Sequence, residues 1–271
     1  LLMAAYHSSD AIMIERMLDN GEEETAIYAH SMRILTALNN YAYLFAVLLL
    51  PMFSKLLVKK EKVQSLIATS SSLLLYGVSS LAIILAYFSE DVIAFCYGVY
   101  PEKTGFFERT LHLETILNKS NVIISSEVFE LIIFGIIPMS INYCFGTLIT
   151  ASGNMKLLNK IAASSLFLNI ILNLALIPQY GSYGAALSSL ITQSFSGIFQ
   201  VGFAVKLFKL KVENLGILRF VGSLSFILVS LIFISELSLI IRLPVIIGAL
   251  IVGLFIAVNL KGVLKMTKGF E

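Results

Sequence analysis

Residues 161–205 read IAASSLFLNIILNLALIPQYGSYGAALSSLITQSFSGIFQVGFAV, 45 residues without one Asp, Glu, Lys or Arg. The run is broken once, by Pro178-Gln179-Tyr180-Gly181-Ser182-Tyr183-Gly184. Crossing about 30 Å of hydrocarbon takes roughly 20 helical residues. The run is therefore two membrane spans, with the Pro/Gly-rich break as the turn between them at one surface. Backbone groups in lipid must be bonded within their own segment, and strict period-2 alternation is absent, so the spans are helices rather than strands.

Composition agrees with that reading. The chain is 58% hydrophobic and 13% charged, and its mean hydropathy is +0.89. A soluble domain of this length needs far more charge on its surface. Cys96 and Cys144 stand far apart, with no CxxC or Cys/His spacing, so neither a metal site nor a disulfide framework is indicated. No secretory signal peptide is visible, because the first residues lack a basic region and lead into a polar membrane segment. The chain begins with Leu1 and is expected to be a piece of something longer.

Outward from the central run, the fold class is all-α, a polytopic bundle of about eight transmembrane helices. A first span lies within 1–18, and others cover roughly 25–57, 64–89, 126–152, 156–178, 182–207, 217–235 and 241–262. Gly and Ser recur inside them, which lets helices approach closely, and Pro138 is expected to bend its span. Lys and Arg set the orientation. Lys55, Lys59, Lys60, Lys62, Lys156, Lys160, Lys206, Lys209, Lys211, Arg219, Lys261, Lys265 and Lys268 all fall on one side, 13 of the 19 basic residues. The other side carries Asp19, Glu22, Glu23, Glu24, Glu90, Asp91, Glu102, Glu108, Glu114 and Glu236. The basic side, which includes the C-terminus, is the cytoplasmic one. One outer connection, 97–125, is long and holds Arg109, His112 and Glu114. It reads as a solvated loop or interfacial helix, and alternatively as the working part of a membrane enzyme.

Ionisable groups inside spans are costly and point to function. The first hairpin concentrates them, with Asp10, Glu15 and Arg16 on one span and His30 and Arg33 on the next. Measured from the acidic turn, Asp10 and Arg33 lie at matching depths of about 12–13 Å at 1.5 Å per residue. An Asp10–Arg33 ion pair is therefore expected, with Glu15 and His30 matched nearer the surface. Two readings stand side by side: a polar cavity for a phosphate-bearing substrate or a coupling cation, and a structural pair. Asn39, Asn40, Asn142, Asn169 and Asn173 are further polar groups within spans. Interhelical hydrogen bonds account for most such residues. The candidate cavity set is Asp10, Glu15, His30, Arg33, Asn39, Asn142 and Asn173.

Two stretches carry a family resemblance. The first is Ser8-Ser9-Asp10-Ala11-Ile12-Met13-Ile14 with Ala26-Ile27-Tyr28-Ala29-His30-Ser31-Met32-Arg33-Ile34. The second is Gly153-Asn154-Met155-Lys156, then Asn169, Leu172, Asn173, Leu176-Ile177-Pro178, Tyr180-Gly181 and Gly184-Ala185-Ala186. Together they resemble the O-antigen flippase-like, polysaccharide-export branch of the multidrug/oligosaccharidyl-lipid/polysaccharide exporter superfamily. That resemblance implies about fourteen helices, in two six-helix lobes and a final pair. Residues 1–208 would be the second lobe and 209–271 the two additional helices, with the N-terminal lobe of the same protein as the missing partner.

The resemblance further implies a bacterial inner-membrane flippase that moves an undecaprenyl-diphosphate-linked oligosaccharide by alternating access, for lipopolysaccharide or other surface polysaccharide. Arg33 carries over best and Asp10 also matches, and a cation at Arg33 suits a diphosphate. No G-x-x-x-x-G-K-S/T loop is present, so no nucleotide cofactor is expected. Coupling to Na⁺ or H⁺, or to the membrane potential, is what remains. Neither nucleic acid nor a metal is indicated. The rival readings are a drug/cation antiporter of the same superfamily, the related lipid-linked peptidoglycan precursor flippase, and a membrane enzyme acting through 97–125.

Overall fold

The computed structural model describes residues 2–97, 119–211, 214–234 and 239–257. Nine helices and their turns make up these residues, with no strand among them: α1 (Leu2–Met17), α2 (Gly21–Val58), α3 (Gln64–Tyr87), α4 (Ser89–Tyr97), α5 (Lys119–Phe134), α6 (Ile136–Ala151), α7 (Met155–Phe208), α8 (Asn214–Ile234) and α9 (Leu239–Ala257). Arg109, His112 and Glu114 of the long connection lie outside the described residues.

The charge-free run behaves as its sequence demands. Helix α7 is 54 residues long, which at 1.5 Å per residue would be about 80 Å, far more than a bilayer. It is broken at Gly181, whose φ of 56° and ψ of −135° leave the helical region. Its two limbs are the two spans. Gln64–Tyr87 and Val122–Ala151 are likewise long and apolar enough to cross, as is the 38-residue Gly21–Val58. Phe220–Ile232 and Pro244–Leu254 are shorter apolar helices. Large apolar side chains such as Leu48, Phe167, Ile198 and Ile232 stand exposed, as lipid-facing residues do and soluble monomers largely avoid.

Two details differ from the sequence reading. A short helix, α4, follows α3 after Phe88, where the sequence suggested only the end of a span. The span expected over 126–152 is interrupted at Gly135, not bent at Pro138. The Gly135 amide donates to the Ile132 carbonyl at 2.9 Å, a tight i−3 turn. Pro138 then falls in the first turn of α6, where its missing N–H leaves no bond unmade.

Packing gathers the chain into two compact units, each assembled from pieces of several helices. The first comprises Leu1–Leu38, Leu85–Gly135 and Ala163–Thr192; the second comprises Asn39–Ile84, Ile136–Ala162 and Gln193–Glu271. Ile14, Ile93, Phe129, Ile133 and Ile177 are among the fully buried apolar side chains of the first. In the second, Leu49, Phe53, Leu66, Ile67, Cys144, Leu148 and Ala204 form one buried cluster. Lipid removes the hydrophobic drive between helices, so this packing acts through close contact and hydrogen bonds.

Three such bonds organise the second unit. The Tyr76 hydroxyl donates to the Leu250 carbonyl at 2.8 Å, joining α3 to α9. Gly253, one turn on, has no Cβ to strike the same hydroxyl. At the basic surface the Gln64 side-chain amide donates to the Lys211 carbonyl and accepts from the Lys211 N–H, both at 2.8 Å.

Candidate functional site

Asp10 is fully buried within the first unit. A charge there must be met by donors, since lipid and protein interior offer no water. Helix α1 presents Asp10 on the same face as buried Ile14, one turn away. Helix α2 brings the Tyr28 hydroxyl to Oδ2 at 2.8 Å. The second limb of α7 brings the Ser189 hydroxyl to the same oxygen at 2.6 Å. The first limb supplies Asn173, whose Nδ2 donates to Oδ1 at 2.6 Å.

Asn169 and Asn173 sit four residues apart and therefore share a helix face. Nδ2 of Asn173 also reaches Oδ1 of Asn169 at 3.3 Å, and the Ser9 hydroxyl approaches that same oxygen at 3.5 Å. Two amide atoms, Asn169 Nδ2 and Asn173 Oδ1, are buried without a partner. The cluster thus holds one carboxylate, neutral oxygens from Tyr28, Ser189 and the two amides, and unused hydrogen-bonding capacity.

Hard oxygen donors around a single negative charge suit a proton or a monovalent cation, and not a soft transition metal. Among the described residues no group of three His, Cys, Asp or Glu is placed to hold a metal. Turning the Asn173 amide about its terminal bond would aim its oxygen, now unpaired, at a cation beside Asp10.

The ion pairs read from depth do not form. Asp10 is bonded to Tyr28, Ser189 and Asn173 rather than to Arg33, which is exposed. Glu15 is also exposed, whereas His30 is buried. The His30 ring stacks against Tyr97 of α4, with centroids 4.0 Å apart. The Tyr97 hydroxyl donates to the His30 carbonyl at 2.9 Å, and His30 Nδ1 is buried without a partner. The cause is rotation about the helix axis. Residues at one depth turn by about 100° per position. Arg33, five positions past buried Tyr28, therefore points elsewhere on α2.

Asn39 and Asn142 belong to the second unit. Asn39 Nδ2 donates to the Tyr143 hydroxyl at 2.8 Å. Asn142 Nδ2 donates to Gln193 Oε1 at 3.2 Å. Of the seven expected residues the structure thus brings only Asp10 and Asn173 together. Tyr28, Asn169 and Ser189 complete their cluster and were absent from that set. The i, i+4 spacing of Asn169 and Asn173 inside an apolar run was the one signal that could have found a third member.

Two further features complete the first unit. Glu24 accepts the Ser182 N–H at 2.8 Å, capping the second limb of α7 just past its break. A hollow of about 410 Å³ is lined by Glu127, Glu130, Leu131, Phe134 and Tyr183. Glu130 there accepts from the Ser89 hydroxyl at 2.8 Å.

No protein-family model matches the chain. Over 102 residues it is 32% identical to the probable lipid II flippase MurJ of two strains of Helicobacter pylori. That similarity takes in 38% of this chain and 20% of each relative. A solved lipid II flippase MurJ, in its inward closed conformation, superposes with a TM-score of 0.68 at 17% identity. The superposition covers 89% of this chain and 48% of that one, so the chain spans about half the length of the solved protein. The all-helical membrane fold is shared with a flippase, and the similar proteins are flippases rather than enzymes.

Proposed function

We propose that this chain is part of a flippase that carries a polyprenyl-diphosphate-linked saccharide across the bacterial cytoplasmic membrane by alternating access. One observation carries the reading: partial sequence similarity and the fold point independently to the same kind of protein. The similar proteins are lipid II flippases, whereas the motifs around Asn169–Ala186 led toward an O-antigen cargo. The headgroup chemistry common to both is a diphosphate bearing sugars. Arg33 supports it, since an exposed guanidinium on a membrane helix is costly unless it meets an anion.

In this reading residues 1–208 form one lobe, 209–271 the closing pair of helices, and a further lobe faces them across the path. The basic connections and the C-terminus lie in the cytoplasm. Asp10, Tyr28, Asn173 and Ser189 take up the coupling cation, Na⁺ or H⁺, because their single charge and oxygen-rich surroundings fit one.

Complementation tests the proposal. The complete gene is expressed in a bacterium depleted of its own lipid II flippase, and in another lacking its O-antigen flippase. Rescued viability identifies a peptidoglycan precursor as cargo; restored surface polysaccharide identifies an O-antigen repeat. Rescue should be lost in Arg33→Ala at unchanged membrane abundance. Normal abundance with rescue of neither strain sinks the proposal.

A further inference from the structure

Near the midpoint of α2 the sequence places Asn39-Asn40-Tyr41-Ala42-Tyr43, and the second unit joins part of it to Tyr143 of α6. Asn39 and Tyr43 are one turn apart and share a face. The rings of Tyr43 and Tyr143 meet edge to face, with centroids 5.9 Å apart and planes at 64°. Tyr43 is 53% exposed. The Tyr143 hydroxyl accepts from Asn39 Nδ2 at 2.8 Å, which leaves its own O–H to donate. Asn39 Oδ1 beside it has no partner.

Tyrosine in membrane proteins gathers at the interfaces, where its hydroxyl is wet. A tyrosine pair with an asparagine at mid-span is out of place against lipid tails. An acyl or isoprenoid chain would leave the Tyr143 O–H unmet. A phosphate would find no cation among the three side chains. What fits is a ligand with an apolar C–H face for an exposed ring, and hydroxyl groups that both donate and accept. That is a pyranose. A ring–sugar contact uses the polarised aromatic face, while the Tyr143 O–H, positioned by its bond from Asn39, fixes orientation.

We propose that Asn39, Tyr43 and Tyr143 form a saccharide subsite, which grips a sugar ring of the lipid-linked cargo at mid-membrane, apart from any contact to its diphosphate. The inference rests on the flippase reading and adds a sugar-specific element to it.

The test is binding by the full-length protein, purified in lipid nanodiscs, of two probes. One is undecaprenyl diphosphate; the other is the same lipid carrying a disaccharide. Tyr43→Leu should weaken binding of the disaccharide lipid about tenfold and leave the sugar-free lipid unchanged. Unchanged binding of the sugar-free lipid also shows that the variant is folded. Tyr43→Phe, which keeps the ring, should bind both as the parent does. Tyr143→Phe, which keeps the ring and loses the donor, should weaken only the disaccharide lipid, by a few-fold. Equal loss of both lipids in Tyr43→Leu, or loss of neither, overturns the subsite alone. A parent protein that binds neither lipid overturns the flippase reading, and the subsite with it.

Discussion

Asn173 donates its side-chain amide to Asp10 at 2.6 Å while its own carbonyl oxygen, equally buried, meets nothing. A side chain with one end used and the other idle, beside a buried carboxylate, is poised to exchange one bonding pattern for another. In the proposed reading its partner in the second pattern is a coupling cation.

Asp10→Asn removes the charge at nearly constant volume. It also turns a donor toward Tyr28 or Ser189, which now donate to that oxygen. The folded state should lose roughly 1–3 kcal/mol, and transport in vesicles should no longer respond to a Na⁺ or H⁺ gradient. Undiminished transport with the parental ion dependence would remove Asp10 from the coupling role.

Gly181 permits the break in α7 through a φ of 56° and a ψ of −135°, a combination that residues with a Cβ rarely adopt. A Cβ there would also lie 2.6 Å from Glu24 Oε2. Gly181→Ala should therefore cost about 1–3 kcal/mol, read as a lower melting temperature of the protein in detergent. A variant as stable as the parent would mean that the turn has another route open to it.

Tyr76→Phe deletes the hydroxyl that α3 gives to the Leu250 carbonyl and should cost about 0.5–1.5 kcal/mol. Gly253→Val drives a larger group into the same place and should cost more. Limited proteolysis should cut between α8 and α9 sooner in both variants, and soonest in Gly253→Val. Identical digestion patterns would show that the hydroxyl does not hold α9.

Burial pushes the Cys96 thiol above its ordinary value. The thiolate is the reactive form, so at neutral pH less of it is present than in an exposed cysteine. Maleimide labelling of Cys96 should be slow at pH 7 and climb about tenfold per pH unit while the thiol titrates. Cys144 is wholly buried and should label only after denaturation. Mass spectrometry of the labelled peptides separates the two, and fast, pH-independent labelling of Cys96 would contradict its placement.

The spans were legible because a bilayer forces long uncharged runs, and Pro178 through Gly184 marks the one place where such a run must turn. The Gly135 interruption was hidden. Its cause is a single local bond to Ile132, and the proline nearby drew the bend three residues too far along. The pairing of Asp10 was misread for a different reason. Helical rise gives depth directly, but which residue faces which depends on the rotation of each helix, and apolar surroundings on all sides leave that phase unmarked. Opposite charge suggested Arg33, yet the actual partners are neutral. Tyr28 and Ser189 look like any hydroxyl in a membrane helix until two limbs of α7 converge on α1.

The pair of hydrogen bonds between Gln64 and Lys211 joins a side-chain amide to the two polar groups of one residue's backbone, as a neighbouring strand would. It anchors the chain shortly before α8 begins. Stretching one of its bonds strains the other, because both share one planar amide. The two bonds therefore form and part together, like a two-pronged plug, and fix where the chain leaves α7 for α8.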